Sequence, residues 1–360
     1  MNSLNYTAPI NQLGYGHVGF NILKEMVRQE VRVGLFPIGQ PSVSNQEDAA
    51  LVQGAIKNSE WFDIDAPSLR LWHQFDMAQH VGYPRIGFPI YEMDRLTELE
   101  KHQLRTLHGI CVPSHWHKEQ LALDGIEGNV SVVPLGYDPD IFFAAPPEVR
   151  TKEMNFFTAG KWEVRKGHDV LVEAFCQAFE PKDKVALWMM CENPFLDEKG
   201  NDEWRRMYKE SPMGHCINFV PRVESHYDVA KIMRQMDAGV FISRAEGWNM
   251  ELLEMMACGK PCMATMYSAH CEFFDEDCGP IVLIDREEEA YDGKWFLGEG
   301  SEINSGKWAH LGSSQVDDMV SGFRRLYENR GEGYDLGRIK QFTWTNTVEK
   351  LKNAIDCTVI

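Results

Sequence analysis

The sequence predicts an α/β protein built as two Rossmann-like, doubly wound domains that face a central cleft. Three observations carry this expectation. At 360 residues the chain exceeds what one hydrophobic core comfortably serves, so two domains are expected. Short apolar runs alternate with amphipathic helical stretches almost from end to end, the pattern of strand–helix–strand units around a parallel sheet. That alternation stops near Pro146-Pro147 and then starts again.

In the first half, strands are expected over 31–38, 69–73, 85–89, 109–112 and 130–133, with helices over 18–27 and 94–107. After the prolines, strands are expected over 155–158, 185–190, 217–220, 238–242, 262–265 and 281–284, with helices over 168–179 and 225–236. The stretch 138–152 holds three prolines and loses apolar periodicity after Phe143, which places the linker there. The domains are therefore set at 1–148 and 149–340. A last helix near 345–355, within a terminal segment 341–360, follows Trp344. The segment 285–312 is polar, Gly-rich and poorly periodic, and reads as an extended loop.

Composition narrows the function classes. Hydrophobic residues make up 44% and charged residues 25%, an ordinary globular balance. The formal net charge of −18 repels phosphate backbones and anionic lipid headgroups, which disfavours nucleic acid and membrane surfaces as general partners. Nine cysteines without framework spacing suggest reduced thiols and a cytoplasmic setting. The first ten residues have no basic start and no apolar core of a signal peptide, and no apolar run approaches the roughly 20 residues of a membrane span.

Three segments carry candidate chemistry. The first is Ser243-Arg-Ala-Glu246-Gly247-Trp248-Asn249-Met250-Glu-Leu-Leu-Glu254-Met-Met-Ala-Cys-Gly-Lys-Pro261, where a strand runs through a glycine turn into a helix. Ligands bind at such carboxyl ends of strands in open α/β sheets, and a helix N-terminus there offers free N–H groups to a phosphate or a sugar hydroxyl. Two acids could each grip a vicinal diol. On spacing alone, Glu246 as an N-cap and Glu254 as a solvated helix face is the leading reading.

The second segment, Gly160-Lys161-Trp-Glu-Val-Arg165-Lys166-Gly167, puts three cations on a loop leaving a strand. They could neutralise a diphosphate leaving group or form a solvated basic turn. The third, Gly14-Tyr-Gly16-His-Val-Gly19, matches G-x-G-x-x-G at the start of the first helix. Residues 6–10 are a poor strand, and no well-placed acid follows 31–38, so a dehydrogenase is not expected.

Together these residues resemble the large retaining glycosyltransferase family 4, of GT-B fold. The acid–seven–acid spacing of Glu246 and Glu254 with Met256-Ala-Cys-Gly-Lys-Pro261 matches that family's motif, and Gly160-Lys161 with Lys166-Gly167 matches its basic pair. Val133-Pro-Leu-Gly136-Tyr-Asp138 resembles its interdomain signature, and Phe342-Thr-Trp344 its terminal element, which returns to the first domain. The likeness is tight over 130–275 and looser before.

The resemblance implies transfer of a sugar from a nucleotide-diphosphate-sugar donor to an acceptor hydroxyl, with retention and without a metal or other cofactor. Glu246 would contact the donor sugar and Glu254 the ribose. Backbone groups at Gly247, Trp248, Asn249 and Met250 would meet sugar or phosphate. Lys161 and Lys166 would bind the diphosphate, and Gly16 would approach it from the first, acceptor-side domain. His73 would touch the donor sugar, though a hydrogen-bonded core histidine fits the same position. This chain departs from the family at Lys161, where an Arg is usual and where Arg165 could substitute. It departs again at Leu135 in place of Asn, and at the bulky Trp248 turn.

Residues 1–148 hold ten Lys and Arg against eighteen Asp and Glu, a balance of −8. That favours a carbohydrate, small-molecule or protein acceptor over lipid, with a modified nucleic-acid base as a minority alternative. A catalytically silent binding or scaffold protein of the same fold is the other alternative. Cys258, Cys262, His270, Cys271 and Cys278 lie close in sequence, but the first pair spans a Gly-Lys-Pro turn unlike a zinc knuckle, and no metal site is expected there.

Overall fold

The computed structural model describes residues 1–146, 152–330 and 333–359. The expected 148/149 boundary lies outside the described residues. The chain divides into two compact units. The first is Met1–Gly136 with Phe296–Gly306 and Gln341–Ile360, and the second is Tyr137–Trp295 with Lys307–Lys340.

The first unit runs β1 (Ser3–Ala8), α1 (Gly14–Arg28), β2 (Arg32–Pro37), α2 (Gln46–Ser59), β3 (Ser68–Leu71), β4 (Arg85–Phe88), α3 (Glu98–Leu104), β5 (Gly109–Val112), α4 (His115–Leu123) and β6 (Val130–Val132). Its six strands form one parallel sheet in the order β2-β1-β3-β4-β5-β6. The order changes direction between β1 and β3, which makes their carboxyl ends the switch point of this sheet.

β1 corrects the expectation of a poor strand before the glycine motif. Leu4, Tyr6 and Ala8 are buried, and so are the polar Asn5 and Thr7. Asn5 is tolerated inside because its Nδ2 donates to the Asp63 carbonyl at 2.7 Å, a partner 58 residues away that no local pattern announces. α3 is shorter than the expected 94–107 because Thr97 caps it in a reciprocal box with Glu100.

The second unit runs β7 (Met154–Ala159), α5 (His168–Ala178), β8 (Val185–Met190), α6 (Glu198–Lys209), β9 (Ile217–Phe219), α7 (His226–Gln235), β10 (Ala238–Phe241), α8 (Met250–Ala257), β11 (Cys262–Thr265), β12 (Ile281–Val282), β13 (Glu287–Glu289), β14 (Lys307–Ala309) and α9 (Ser313–Glu328). Its parallel sheet has the order β12-β11-β10-β7-β8-β9, so the direction of winding reverses between β7 and β10. Helices α5 and α9 pack on one another beside β7 through Phe156, Phe175, Phe179 and Phe323, with Phe156 edge-on to Phe323 at 5.0 Å. Each fully buried phenyl contributes about 1.5–3 kcal/mol.

The expected loop 285–312 is instead partly a strand pair, β13 against β14. Three consecutive glutamates are poor strand formers, but Glu288 is held by the His310 ring at 2.6 Å and the Arg244 guanidinium at 3.5 Å. The intervening 296–306 groups with the first unit through polar contacts: Asn304 N donates to Glu100 Oε1 at 3.1 Å and Thr97 Oγ1 to the Glu302 carbonyl at 2.8 Å.

The last helix, α10 (Trp344–Val359), belongs to the first unit, where it packs on α1 and β5. Thr347 Oγ1 donates to the Pro134 carbonyl at 2.8 Å, and a Cβ on Gly136 would lie 2.2 Å from the Thr343 carbonyl carbon, so this crossing needs glycine. Among the described residues no helix is long and apolar enough to cross a membrane.

Candidate functional site

In the second unit, β7 and β10 are neighbours although their carboxyl ends, Ala159 and Phe241, are 82 positions apart in sequence, and the loops that leave them meet at the switch point. Two glycines make the meeting close. Gly167 has a left-handed φ of 73°, and a Cβ there would lie 2.2 Å from the Ile242 carbonyl oxygen. Gly160, with φ 119°, leaves room for the Lys166 stem, which a Cβ would meet at 3.1 Å. The Arg244 amide then donates to the Arg165 carbonyl at 2.7 Å, and the Arg244 guanidinium holds Asp169 at 2.7 and 2.8 Å.

The side chains between these loops form a chain of alternating charges. Lys161 Nζ lies 2.9 Å from Glu163 Oε1, and Glu163 Oε2 lies 2.9 Å from Arg165. Arg165 reaches Glu246 Oε2 at 3.1 Å and donates to the Ala245 carbonyl at 2.7 Å. Lys166 Nζ meets Glu246 Oε1 at 2.8 Å and Glu251 at 3.6 Å. Ser243 Oγ donates to Glu246 at 2.5 Å, and the Glu246 amide is anchored on Ser268 Oγ at 2.9 Å. Glu163, Arg165, Lys166 and Glu246 are all buried, and Lys161 is the exposed end of the chain.

Burial alone would push the Glu246 carboxyl up. Lys166 and Arg165 outweigh that and hold it at about 2, so it is ionised at neutral pH. The same pairing keeps Lys166 above its ordinary value, although burial pulls the other way. Glu254, on α8, is the opposite case. Burial, reinforced by Glu251, raises its carboxyl well above the ordinary range, and it lies 4.0 Å from His226 Nδ1.

Asn249 caps α8 in a left-handed conformation with φ 72°; its Oδ1 accepts from the Leu252 amide at 3.4 Å. Its Nδ2 is buried with no hydrogen-bond partner, an orphan donor that a ligand oxygen would satisfy. Gly247 is buried within the turn and Met250 opens the helix, half-buried. The Trp248 ring turns away into the core against Phe273 at 5.0 Å, which explains how a bulky residue fits this turn.

The first unit repeats the topology with different chemistry. Gly14-Tyr15-Gly16 forms the first turn of α1 after β1, and His73 follows β3. The Tyr15 ring lies 4.6 Å from His73 and 5.4 Å from Trp72, and His73 stacks on Phe75 at 5.1 Å. Tyr15 Oη is fixed between the carbonyl and the amide of Ile90, at 2.5 and 2.9 Å. A Cβ on Gly16 would lie 2.2 Å from Asn11 Oδ1, so this glycine lets α1 pack on the loop after β1; Gly14 has open space instead.

The structure thus gathers Lys161, Arg165, Lys166, Glu246, Gly247, Asn249 and Met250 at one switch point, and Gly16 and His73 at the other. Glu163, Ser243, Arg244, Glu251 and Ser268 were not singled out from sequence. Glu163 and Arg244 lie inside the motif segments and were visible as unpaired charges, whereas nothing local marks Ser268. The five cysteine and histidine positions near 258–278 serve the core. Cys258, Cys262 and His270 bond separate backbone carbonyls, and burial pushes the thiols of Cys258 to about 12 and of Cys271 and Cys278 to about 11, the protonated form.

Residues 153–292 match the family described as glycosyl transferases group 1. The mannosylfructose-phosphate synthase of Agrobacterium fabrum (strain C58) is 24% identical over 190 residues, a stretch that covers 46% of this chain and 42% of that protein. The structure of a sucrose-phosphate synthase from Thermosynechococcus elongatus is similar with a TM-score of 0.71 at 14% identity, over 100% of this chain and 99% of that one. Anabaena HepE in complex with UDP and glucose gives a TM-score of 0.60 at 14% identity, over 99% of this chain and 100% of that one. The fold is therefore GT-B, and residues 153–292 are similar to the glycosyl transferases group 1.

Proposed function

We propose that this protein is a retaining glycosyltransferase of family 4 type, taking a nucleotide-diphosphate sugar at the β7/β10 switch point. The observation that carries the reading is the charge chain there: Lys166 and Glu246 locked together at 2.8 Å, with Lys161 at the exposed end and, at the start of α8, the orphan Nδ2 of Asn249. Lys161 and Lys166 would hold the diphosphate and stabilise the charge it gains as the glycosidic bond breaks. Glu246, kept ionised, would accept hydrogen bonds from donor-sugar hydroxyls. Glu254, a buried carboxyl on α8, would hydrogen-bond the ribose hydroxyls. Free N–H groups at the start of α8, with Gly247, Trp248, Asn249 and Met250 shaping the turn, would meet sugar or phosphate oxygens.

In this reading, departure of the diphosphate leaves an oxocarbenium-like sugar, and the departing phosphate oxygen takes the acceptor proton. No separate base and no metal are required. In the first unit, His73 and the Gly14–Gly16 turn would be ligand contacts at that unit's own switch point, His73 for a sugar and the turn for a phosphate. An acceptor hydroxyl on a carbohydrate, small molecule or protein suits the acidic surface better than nucleic acid. Nine free cysteines suit a reducing, cytoplasmic setting.

The test is a thermal-shift and donor-hydrolysis screen with UDP-, GDP-, ADP- and CMP-sugars, with and without EDTA. UDP-sugars come first, because HepE was solved with UDP-glucose. One donor should raise the melting temperature and hydrolyse slowly, unaffected by the chelator, and the transferred sugar should keep its anomeric configuration by NMR. Absence of any response would overturn the donor reading, and dependence on added metal would overturn the metal-free mechanism.

A further inference from the structure

We propose that Glu163 is a positioning residue, whose buried carboxylate aims Lys161 at the phosphate while bracing the Arg165–Glu246 contact. The inference rests on the donor site proposed above, and it moves Arg165 from the donor to the scaffold. One Glu163 oxygen takes Lys161 at 2.9 Å and the other takes Arg165 at 2.9 Å. The Glu163 and Arg165 side chains are only 5% and 7% exposed, whereas Lys161 is 37% exposed. Arg165 spends its guanidinium on Glu163, the Ala245 carbonyl and Glu246, all within the protein. Lys161 is confined on a second side by the Phe195 ring, 5.1 Å from its ammonium.

Electrostatically, Glu163 works against phosphate binding, because it partly neutralises Lys161, the end of this chain of charges that reaches solvent. Its contribution is geometric. A lysine stem has many rotamers, and a fixed ammonium stabilises developing charge without reorganising when the bond breaks. Loss of the carboxylate should therefore free Lys161 to grip a phosphate in the ground state while degrading its placement in the transition state. A residue that merely supports the fold would weaken binding and turnover together.

The experiment uses the full chain. Inorganic pyrophosphate is titrated by calorimetry, and kcat and KM are measured with the donor found by the screen. Glu163→Gln should bind pyrophosphate at least as tightly as wild type, while kcat falls about tenfold or more and Glu163→Asp recovers part of it. Because the single change leaves an excess buried cation, Glu163→Gln/Arg165→Gln keeps the charge balanced and is measured alongside; the same split is expected. Unchanged kcat in the folded variants, or pyrophosphate affinity that falls in step with kcat, would overturn the positioning role while leaving the donor site standing. Wild-type protein that neither binds pyrophosphate nor turns over any donor would remove the donor site and this role with it.

Discussion

In the second unit, the loops that leave β7 and β10 meet as a chain of buried charges; in the first, the loops that leave β1 and β3 meet as a cluster of rings around a glycine turn. Both are switch points of parallel sheets, so topology alone makes each a place where a ligand can reach backbone. They differ in how the side chains are satisfied. Lys166, Arg165 and Glu246 are held by pairing, and each removal leaves a neighbour charged and buried. Tyr15, Trp72, His73 and Phe75 pack ring on ring, and losing the His73 ring still leaves Tyr15 against Trp72. Charge pairing makes a site precise but brittle, and ring packing makes one tolerant.

Lys166→Ala should break the comparison hardest. Transfer should fall about 10³-fold, and unfolding free energy should drop by about 3 kcal/mol because Glu246 loses one of two cations. Single-turnover rates and urea midpoints check the two numbers separately. Wild-type turnover would show that the charge chain is structural only.

Acid should expose the same brittleness without mutation. The Glu246 carboxyl is depressed from the ordinary 4.5 to about 2. A depressed acid contributes stability that is present above 4.5 and lost as pH falls toward 2. The loss should be on the order of 3 kcal/mol, and Glu246→Gln should flatten that part of the profile. Stability curves between pH 5 and pH 2 for both proteins decide this, and equal slopes would refute the pairing.

His73→Ala tests the tolerant side. We expect kcat to fall about 10- to 100-fold with the melting temperature nearly unchanged, since Tyr15 stays anchored on Ile90. A large loss of stability with activity retained would make His73 a core residue. The smallest effect separates two glycines. Gly16→Ala should destabilise by about 1–3 kcal/mol through its clash with Asn11, whereas Gly14→Ala meets nothing within 4 Å and should leave stability unchanged or raise it slightly. Similar melting temperatures for the two would mean that the loop after β1 yields easily.

Much of this architecture could be read from residue order. The strands of the second parallel sheet fall where the apolar runs placed them, with β8 and β11 matching residue for residue. The two motif segments were found because a strand, a glycine turn and a helix start are local events, spelled out within about ten residues. What escaped was non-local. β1 escaped because its buried polar Asn5 is satisfied far along the chain, by the Asp63 and Ala66 carbonyls. Residues 296–306 looked like part of a loop because polar contacts to Glu100 and Thr97, and not apolar periodicity, hold them.

The residue pattern by itself therefore determined two α/β halves and the positions of Lys161, Lys166, Glu246 and Glu254 on strand-end segments, because periodicity and turn chemistry act over one or two turns of chain. Only the tertiary structure decided what those charges do. Sheet order sets β7 beside β10, and that adjacency pairs Arg165 with a Glu246 81 residues away, turning a basic loop and an acidic turn into one buried chain of charges. Coulombic pairing depends on distance in space, and sequence separation carries no record of it.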